Sequence, residues 1–205
     1  MALSEQQKQK KAQQKKNKRK STSKVNSAQQ LQEKIEPFIE HPFYECIIPH
    51  NLFEAGIGNI LVTKVSPQGE LAICSFIVDV FCLGVKQVRF KTMPLPEYEA
   101  VFKPDIVKSH GGYAFIKIKP ACAQKLLDGV TQYAKDLGFS NDSDYYAMKT
   151  IFGEKKLGLC WTRYKFGKDK MPFYMRGPNE STTDANKIVA TLEKSCGLGN
   201  FHYHL

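Results

Sequence analysis

A carboxylate inside the most apolar stretch of the chain is the first residue whose chemistry needs an explanation. Asp79 lies in the segment VDVFCLG, within the apolar stretch 71–83. Burying a carboxylate costs several kcal/mol unless it is paired or neutral. Asp79 can be one ligand of a metal-dependent active site, with Glu45, Glu54 and Glu70 as the nearby acids, or it can accept hydrogen bonds from a turn or helix end. The structural role is favoured, because the apolar stretch holds no second acid.

Three further motifs resemble functional sites but have simpler interpretations. His202 and His204 would lie on one side of a strand as half of a metal site, yet no Cys or acid stands beside them. Cys82 lacks a local His partner, which favours a buried core residue over a nucleophile. The segment Gly56-Ile57-Gly58 begins like a dinucleotide-binding loop, but Leu61 replaces the third glycine, so a turn with positive φ is predicted. The sequence therefore predicts neither a bound metal nor a cofactor.

Basic and aromatic residues alternate between positions 163 and 176. Such interleaving can hold phosphates and stack bases, although a hairpin that buries one face produces the same pattern. Asp169 is the single acid among them. The predicted nucleic-acid-binding residues of this stretch are Arg163, Lys165, Lys168, Lys170 and Arg176, and the aromatic residues are Tyr164, Phe166, Phe173 and Tyr174.

The net charge of +10 is concentrated at the start of the chain. Residues 1–24 hold nine of the 30 basic residues and one of the 20 acids, so the remainder is close to neutral. This Lys/Gln-rich segment has almost no apolar side chains, which predicts a disordered tail over residues 1–26. Lysine runs bind RNA and other polyanions by releasing counterions. The predicted binding residues of the tail are Lys10, Lys11, Lys15, Lys16, Lys18, Arg19 and Lys20.

Cysteine usage and hydropathy predict a cytoplasmic protein without a membrane partner. The six cysteines form no CxxC pair and mostly lie in apolar runs, so reduced, buried thiols are expected. The first residues lack the apolar core of a signal peptide, and no apolar run approaches the ~18 residues that span a bilayer.

Helices and strands must position these residues. Along the chain, the sequence predicts a β-rich segment, then helices, then further strands and a last helix. A type I turn at 66–69 predicts a hairpin, and the helical periodicity of 120–137 predicts the main helix. This order predicts an α+β fold with a mixed or mainly antiparallel sheet and three to four helices, as one domain over residues 27–205. Strands are predicted at 43–48, 59–65, 71–83, 85–91, 157–165, 171–176 and 201–205, helices at 27–36, 97–102, 144–152 and 184–196, and a strand or helix lead at 113–119.

The segments GIGNILVTKVSPQGELAICSFIVDVFCLGVK, GVTQYAKDLGF, FYMRGP and GLGNFHY together resemble a family of uncharacterised bacterial proteins. The resemblance covers most of residues 43–203. It implies no activity, and no residue role is carried over from it.

These patterns predict a polyanion-binding cytoplasmic protein, associated with RNA or ribosomes, that uses its basic tail as an anchor. One alternative is a metal-dependent enzyme that processes nucleic acid at Asp79. Another is a protein–protein adaptor whose tail only aids solubility. Polyanion binding depends on the basic charge of the chain, whereas the adaptor hypothesis does not, so charge distinguishes the first hypothesis from the third. A cluster of acids around Asp79 would distinguish the enzyme from both.

Overall fold

The computed structural model describes residues 27–205 of the chain. The predicted tail, residues 1–26, lies outside the described residues, and so do its predicted binding residues. Within the described part, strands and helices do not alternate regularly, and the main sheet is antiparallel throughout. The α+β fold class is therefore confirmed.

The main sheet has five strands in the order β4-β3-β2-β1-β5. Its β2–β3 hairpin closes at the predicted turn, where the Gly69 N–H donates to the Ser66 carbonyl at 3.0 Å. The strand predicted at 85–91 is β4, which forms the edge of the sheet opposite β5. The strands are β1 (Phe43–Pro49), β2 (Ile57–Val65), β3 (Glu70–Asp79), β4 (Gly84–Pro94) and β5 (Phe115–Ile118).

Helices cover both faces of this sheet. They are α1 (27–35), α2 (Leu52–Ala55), α3 (consecutive helical pieces Leu95–Glu97, Tyr98–Phe102 and Lys103–Ser109), α4 (Pro120–Asp136), α5 (Tyr145–Lys149) and α6 (Thr182–Cys196), with 3-10 turns at Glu36–Phe38 and Thr150–Phe152. Within residues 27–205, no helix combines the length and the apolar character needed to cross a membrane.

Strand β3 is buried on both faces, as its composition predicted. Cys74 and Phe76 contribute to the cluster that α4 covers, where Leu126 and Val130 are fully buried. Ile73 belongs to the cluster on the other face, which α3 covers. The alternation along one strand thus anchors a helix on each side of the sheet.

Apart from α3, which extends to Ser109 where the predicted helix ends at residue 102, the helix ends differ from those predicted by a residue or two. Ser181 caps α6, because its hydroxyl accepts from the Asp184 N–H at 3.1 Å, so the helix begins at Thr182 where residue 184 was the predicted start. At the start of α1, the Ser27 hydroxyl donates to the Asp144 carboxylate at 2.9 Å. A tertiary contact thus takes the place of the local cap.

The predicted strand at 157–165 is wrong. Residues 153–172, here called the cleft loop, form no helix or strand, and only the isolated bridge between Lys168 and Met171 marks the predicted turn. The predicted strand at 171–176 is β6 (Phe173–Met175), which pairs in parallel with β7 (His202–His204) instead of forming a hairpin. The cleft loop is held by side chains that it inserts against the rest of the domain, so it needs no strand ladder.

Candidate binding cleft

A cleft of about 890 Å³ opens at the β5 edge of the sheet, beneath the cleft loop. Ile48 of β1 and its register partner Ile116 of β5 line an apolar floor. His50 and Phe53 line it from the segment around α2, and residues 162–167, 169 and 170 of the cleft loop form the facing wall. Cavities of this size take ligands with several rings.

Two aromatic stacks fix that wall. Tyr164 stacks on Phe53 with ring centroids 5.7 Å apart and an 11° interplanar angle. Phe166 stacks on Tyr133 of α4 at 5.6 Å and 24°. Phe166 also lies against Gly129 so closely that an added Cβ would be 2.8 Å from its ring. Tyr164 and Phe166 therefore pack against the domain as well as lining the cleft, and Arg163 and Lys165 alternate with them along the wall.

A disulfide between Cys122 and Cys160 joins the cleft loop to the first turn of α4. The Lys125 ammonium donates to the Cys160 carbonyl at 3.0 Å, and the Tyr164 hydroxyl donates to the Cys122 carbonyl at 3.2 Å. The prediction of reduced thiols is wrong for this pair. The bond could not be predicted from the sequence, because 38 positions separate the two cysteines and no local motif indicates that they pair. The thiols that remain free are those of Cys46, Cys74, Cys82 and Cys196.

Three of the five basic residues predicted between 163 and 176 line the cleft: Arg163, Lys165 and Lys170. None of the three has a carboxylate within ion-pair distance among residues 27–205. Asp169, the one acid of the wall, sits with Lys170 in the turn that reverses the chain. The cleft therefore offers unpaired positive charge above an apolar floor.

The other two basic residues point elsewhere. The Lys168 ammonium lies 4.8 Å from the centroid of the Phe173 ring. The Arg176 Nε donates to the Glu180 carbonyl at 2.9 Å. Neither residue lines the cleft.

Asp79 is 3% exposed and serves the turn after β3. Its Oδ1 accepts from the backbone N–H groups of Phe81 and Cys82, each at 2.9 Å. Burial raises the pKa of this carboxyl to about 6, although the backbone hydrogen bonds and the charge of Lys86 oppose the rise. This is the hydrogen-bonding geometry of a turn-stabilising acid.

Two of the three acids named as possible partners of Asp79, Glu45 and Glu70, lie elsewhere in the fold, and Glu54 is an exposed residue of α2. The Glu45 carboxylate accepts from the Tyr98 hydroxyl at 2.7 Å and pairs with Lys103. Glu70 begins β3, so the whole strand separates it from Asp79. Across residues 27–205, no three His, Cys, Asp or Glu side chains gather in a metal-binding arrangement.

The weaker motifs have structural surroundings. His202 and His204 are exposed on β7, away from the cleft lining. Cys82 is fully buried, and burial raises the pKa of its thiol. Gly56 ends α2 with φ of 80°, and an added Cβ would lie 2.1 Å from the Phe81 ring. The predicted turn and the predicted core cysteine are both confirmed.

Sequence reasoning missed the residues that complete the cleft. His50, Phe53 and Ile116 come from segments far from the cleft loop in sequence, and no short motif connects them. Trp161 was also missed, although it directly precedes the wall and is 84% exposed. An unusual exposed tryptophan can be recognised only once burial is known.

The chain matches no protein-family model, no curated protein and no solved structure at a significant level. The resemblance to a bacterial family therefore stays a prediction, and a functional proposal must rest on the cleft itself.

Proposed function

We propose that this protein binds RNA, or a polyanion of similar charge, through the cleft and through the basic residues of its first 26 positions. The observation that supports the proposal is the set of unpaired cations, Arg163, Lys165 and Lys170, on one wall of a cleft with an apolar floor. Association with ribosomes and a cytoplasmic location belong to the same proposal, and in a reducing cytosol they require that the Cys122–Cys160 bond be protected from reduction.

Charged side chains and apolar surface contribute to polynucleotide binding in different ways. Lysine and arginine neutralise phosphates and release their counterions, which gives affinity without sequence preference. An apolar floor beside aromatic rings accepts the bases, which every polynucleotide strand carries. A polyanion without bases would engage the wall and leave the floor empty.

The geometry favours binding over the metal-dependent enzyme. An active site at Asp79 needs further acids near that carboxylate, whose Oδ1 already accepts two backbone hydrogen bonds. Asp79 also lines no part of the cleft. The adaptor hypothesis predicts no role for Arg163 and its basic neighbours, so the same experiment distinguishes it.

The test is fluorescence anisotropy of a labelled RNA with the full chain at ~50 mM and ~200 mM salt. The variant replaces Arg163, Lys165 and Lys170 with Gln. We expect about a tenfold loss of affinity at the lower salt, and a salt slope shallower by about 2–3, because each phosphate contact contributes roughly one unit of slope.

A matched variant controls for net charge. It replaces Lys34, Lys91 and Lys194 with Gln, which are exposed and lie on α1, β4 and α6, away from the cleft. We expect it to keep nearly all of the RNA affinity. Equal losses in both triple variants would contradict a binding role for the cleft, as would full affinity of the cleft variant.

A further inference from the structure

Trp161 stands out among the exposed apolar residues. It is the only tryptophan of the chain, and 84% of its surface is exposed. Burying a tryptophan side chain contributes a large favourable free energy to folding, and an indole that stays in water forgoes it. Trp161 therefore contributes little to the stability of the fold.

The backbone of Trp161 is held between fixed points. Cys160, directly before it, is bonded to α4 through the disulfide with Cys122. Thr162, directly after it, is the first residue of the cleft wall, and Tyr164 is stacked on Phe53. The indole is thus presented at the rim of the cleft by an anchored segment.

The charge beside Trp161 indicates what covers it. Arg163 and Lys165 follow within four positions and have no carboxylate within ion-pair distance in the described part of the chain. An aromatic platform flanked by free cations complements a base attached to a phosphate backbone. A duplex keeps the faces of its bases stacked on one another, so only an unpaired base can lie on the indole.

We propose that Trp161 is a stacking platform for an unpaired base, and that the cleft therefore takes single-stranded nucleic acid in preference to duplex. The inference rests on the proposed polyanion binding and adds the class of ligand to it. The phosphates on either side of the stacked base lie against Arg163 and Lys165, and the next base enters the cleft over the apolar floor.

The single tryptophan makes the test direct, because all indole emission of the full chain comes from Trp161. A uridine RNA of ~12 nucleotides, a length suited to such grooves, is titrated while indole emission and RNA anisotropy are recorded together. We expect quenching that saturates with the anisotropy. A blunt duplex of the same length is expected to leave the emission unchanged at equal bound fraction.

Two variants test the stacking itself. Trp161→Ala is expected to weaken single-strand binding about tenfold and duplex binding hardly at all, and Trp161→Phe is expected to restore most of the loss. Leu159→Ala is the matched control, since Leu159 is 72% exposed on the same loop, and it should bind like wild type. Because both side chains are exposed, these variants should fold.

The outcomes separate the inference from the proposed function. RNA binding without a change in indole emission, or equal losses for single strand and duplex in Trp161→Ala, would overturn the stacking role and leave polyanion binding standing. Indole quenching by anionic lipid vesicles with none by RNA would overturn it in favour of a membrane-facing rim. Absence of any RNA binding by the full chain would overturn both.

Discussion

Two buried acids of this domain sit in opposite electrostatic surroundings. Asp79 is held by backbone N–H groups, and burial raises its pKa to about 6. Burial acts on Glu45 in the same direction, but hydrogen bonds from Lys103, Tyr98 and Lys117 outweigh it and keep the pKa of Glu45 below its ordinary value. Of these two acids, only Asp79 therefore carries a charge that the fold holds at a cost at neutral pH.

That cost predicts a pH dependence for Asp79→Asn. Because the folded pKa of about 6 lies above the ordinary 3.8, the folded state binds a proton that the unfolded state has released between these values. The contribution of Asp79 to the stability of the wild type therefore falls as pH rises through this window, and the neutral Asn variant lacks this contribution. We expect the free energy of unfolding of Asp79→Asn, relative to wild type, to rise by roughly 2 kcal/mol from pH ~4 to ~7.

Urea denaturation at a series of pH values measures this difference. Asp169→Asn, which removes an exposed acid, is the control and should follow the wild-type profile. Parallel profiles for Asp79→Asn and wild type would contradict the raised pKa. Loss of RNA binding by a stable Asp79→Asn protein would instead assign Asp79 a functional role.

At the scale of elements, the sequence predicted what local periodicity encodes. The spacing of apolar residues gave α4 nearly to its ends, and the turn residues placed the β2–β3 hairpin. The extent of α3 was underestimated, since Pro104 reads as a break although it lies in the first turn of the piece Lys103–Ser109, where proline is tolerated.

Of the cleft, the sequence predicted only the basic residues. Arg163, Lys165 and Lys170 were identified because interleaved basic and aromatic residues are visible in the sequence. The anchors that turn this stretch into a wall, the Cys122–Cys160 bond and the Phe53–Tyr164 stack, join residues far apart in the chain. Such pairings depend on the tertiary fold, so no local pattern encodes them.

The disulfide predicts that the cleft loop responds to reduction. Closing a loop of this sequence separation, 38 residues, stabilises a fold by about 4 kcal/mol through chain entropy. We expect Cys160→Ser, or treatment of wild type with a thiol reductant, to lower the melting temperature and to weaken RNA binding by the freed wall. Cys196→Ser is the control, because Cys196 is not in a disulfide.

Thermal melts with and without reductant measure the effect. The wild type should lose stability on reduction, and Cys160→Ser should be insensitive to the reductant. A melting temperature of wild type that does not change on reduction would contradict a stabilising role for the bond.

At the scale of the whole molecule, the positive charge divides unevenly along the chain. Residues 1–24 hold nine bases and one acid, so these positions should dominate long-range attraction to RNA. Residues 1–24 hold few apolar side chains, whereas the described residues 27–205 contain three apolar clusters. The deletion of residues 1–24 should therefore leave the domain folded.

We expect this deletion to reduce RNA affinity sharply and to flatten the dependence of affinity on salt, because most counterion release is lost with it. Circular dichroism checks the fold, and anisotropy at ~50 mM and ~200 mM salt checks the binding. Binding by the truncated chain that equals that of the full chain at both salts would refute the anchoring role of these residues.

The central claim is that RNA occupies the cleft and does not bind to the basic first residues alone. Photo-cross-linking of a thiouridine-containing RNA to the full chain, followed by mass spectrometry of the adducts, tests it most directly. We predict adducts within residues 161–170 and at Phe53, which line or border the cleft, together with adducts in residues 1–24. Adducts confined to residues 1–24, or scattered over α6 and β4, would contradict the assignment of the cleft as the RNA-binding site.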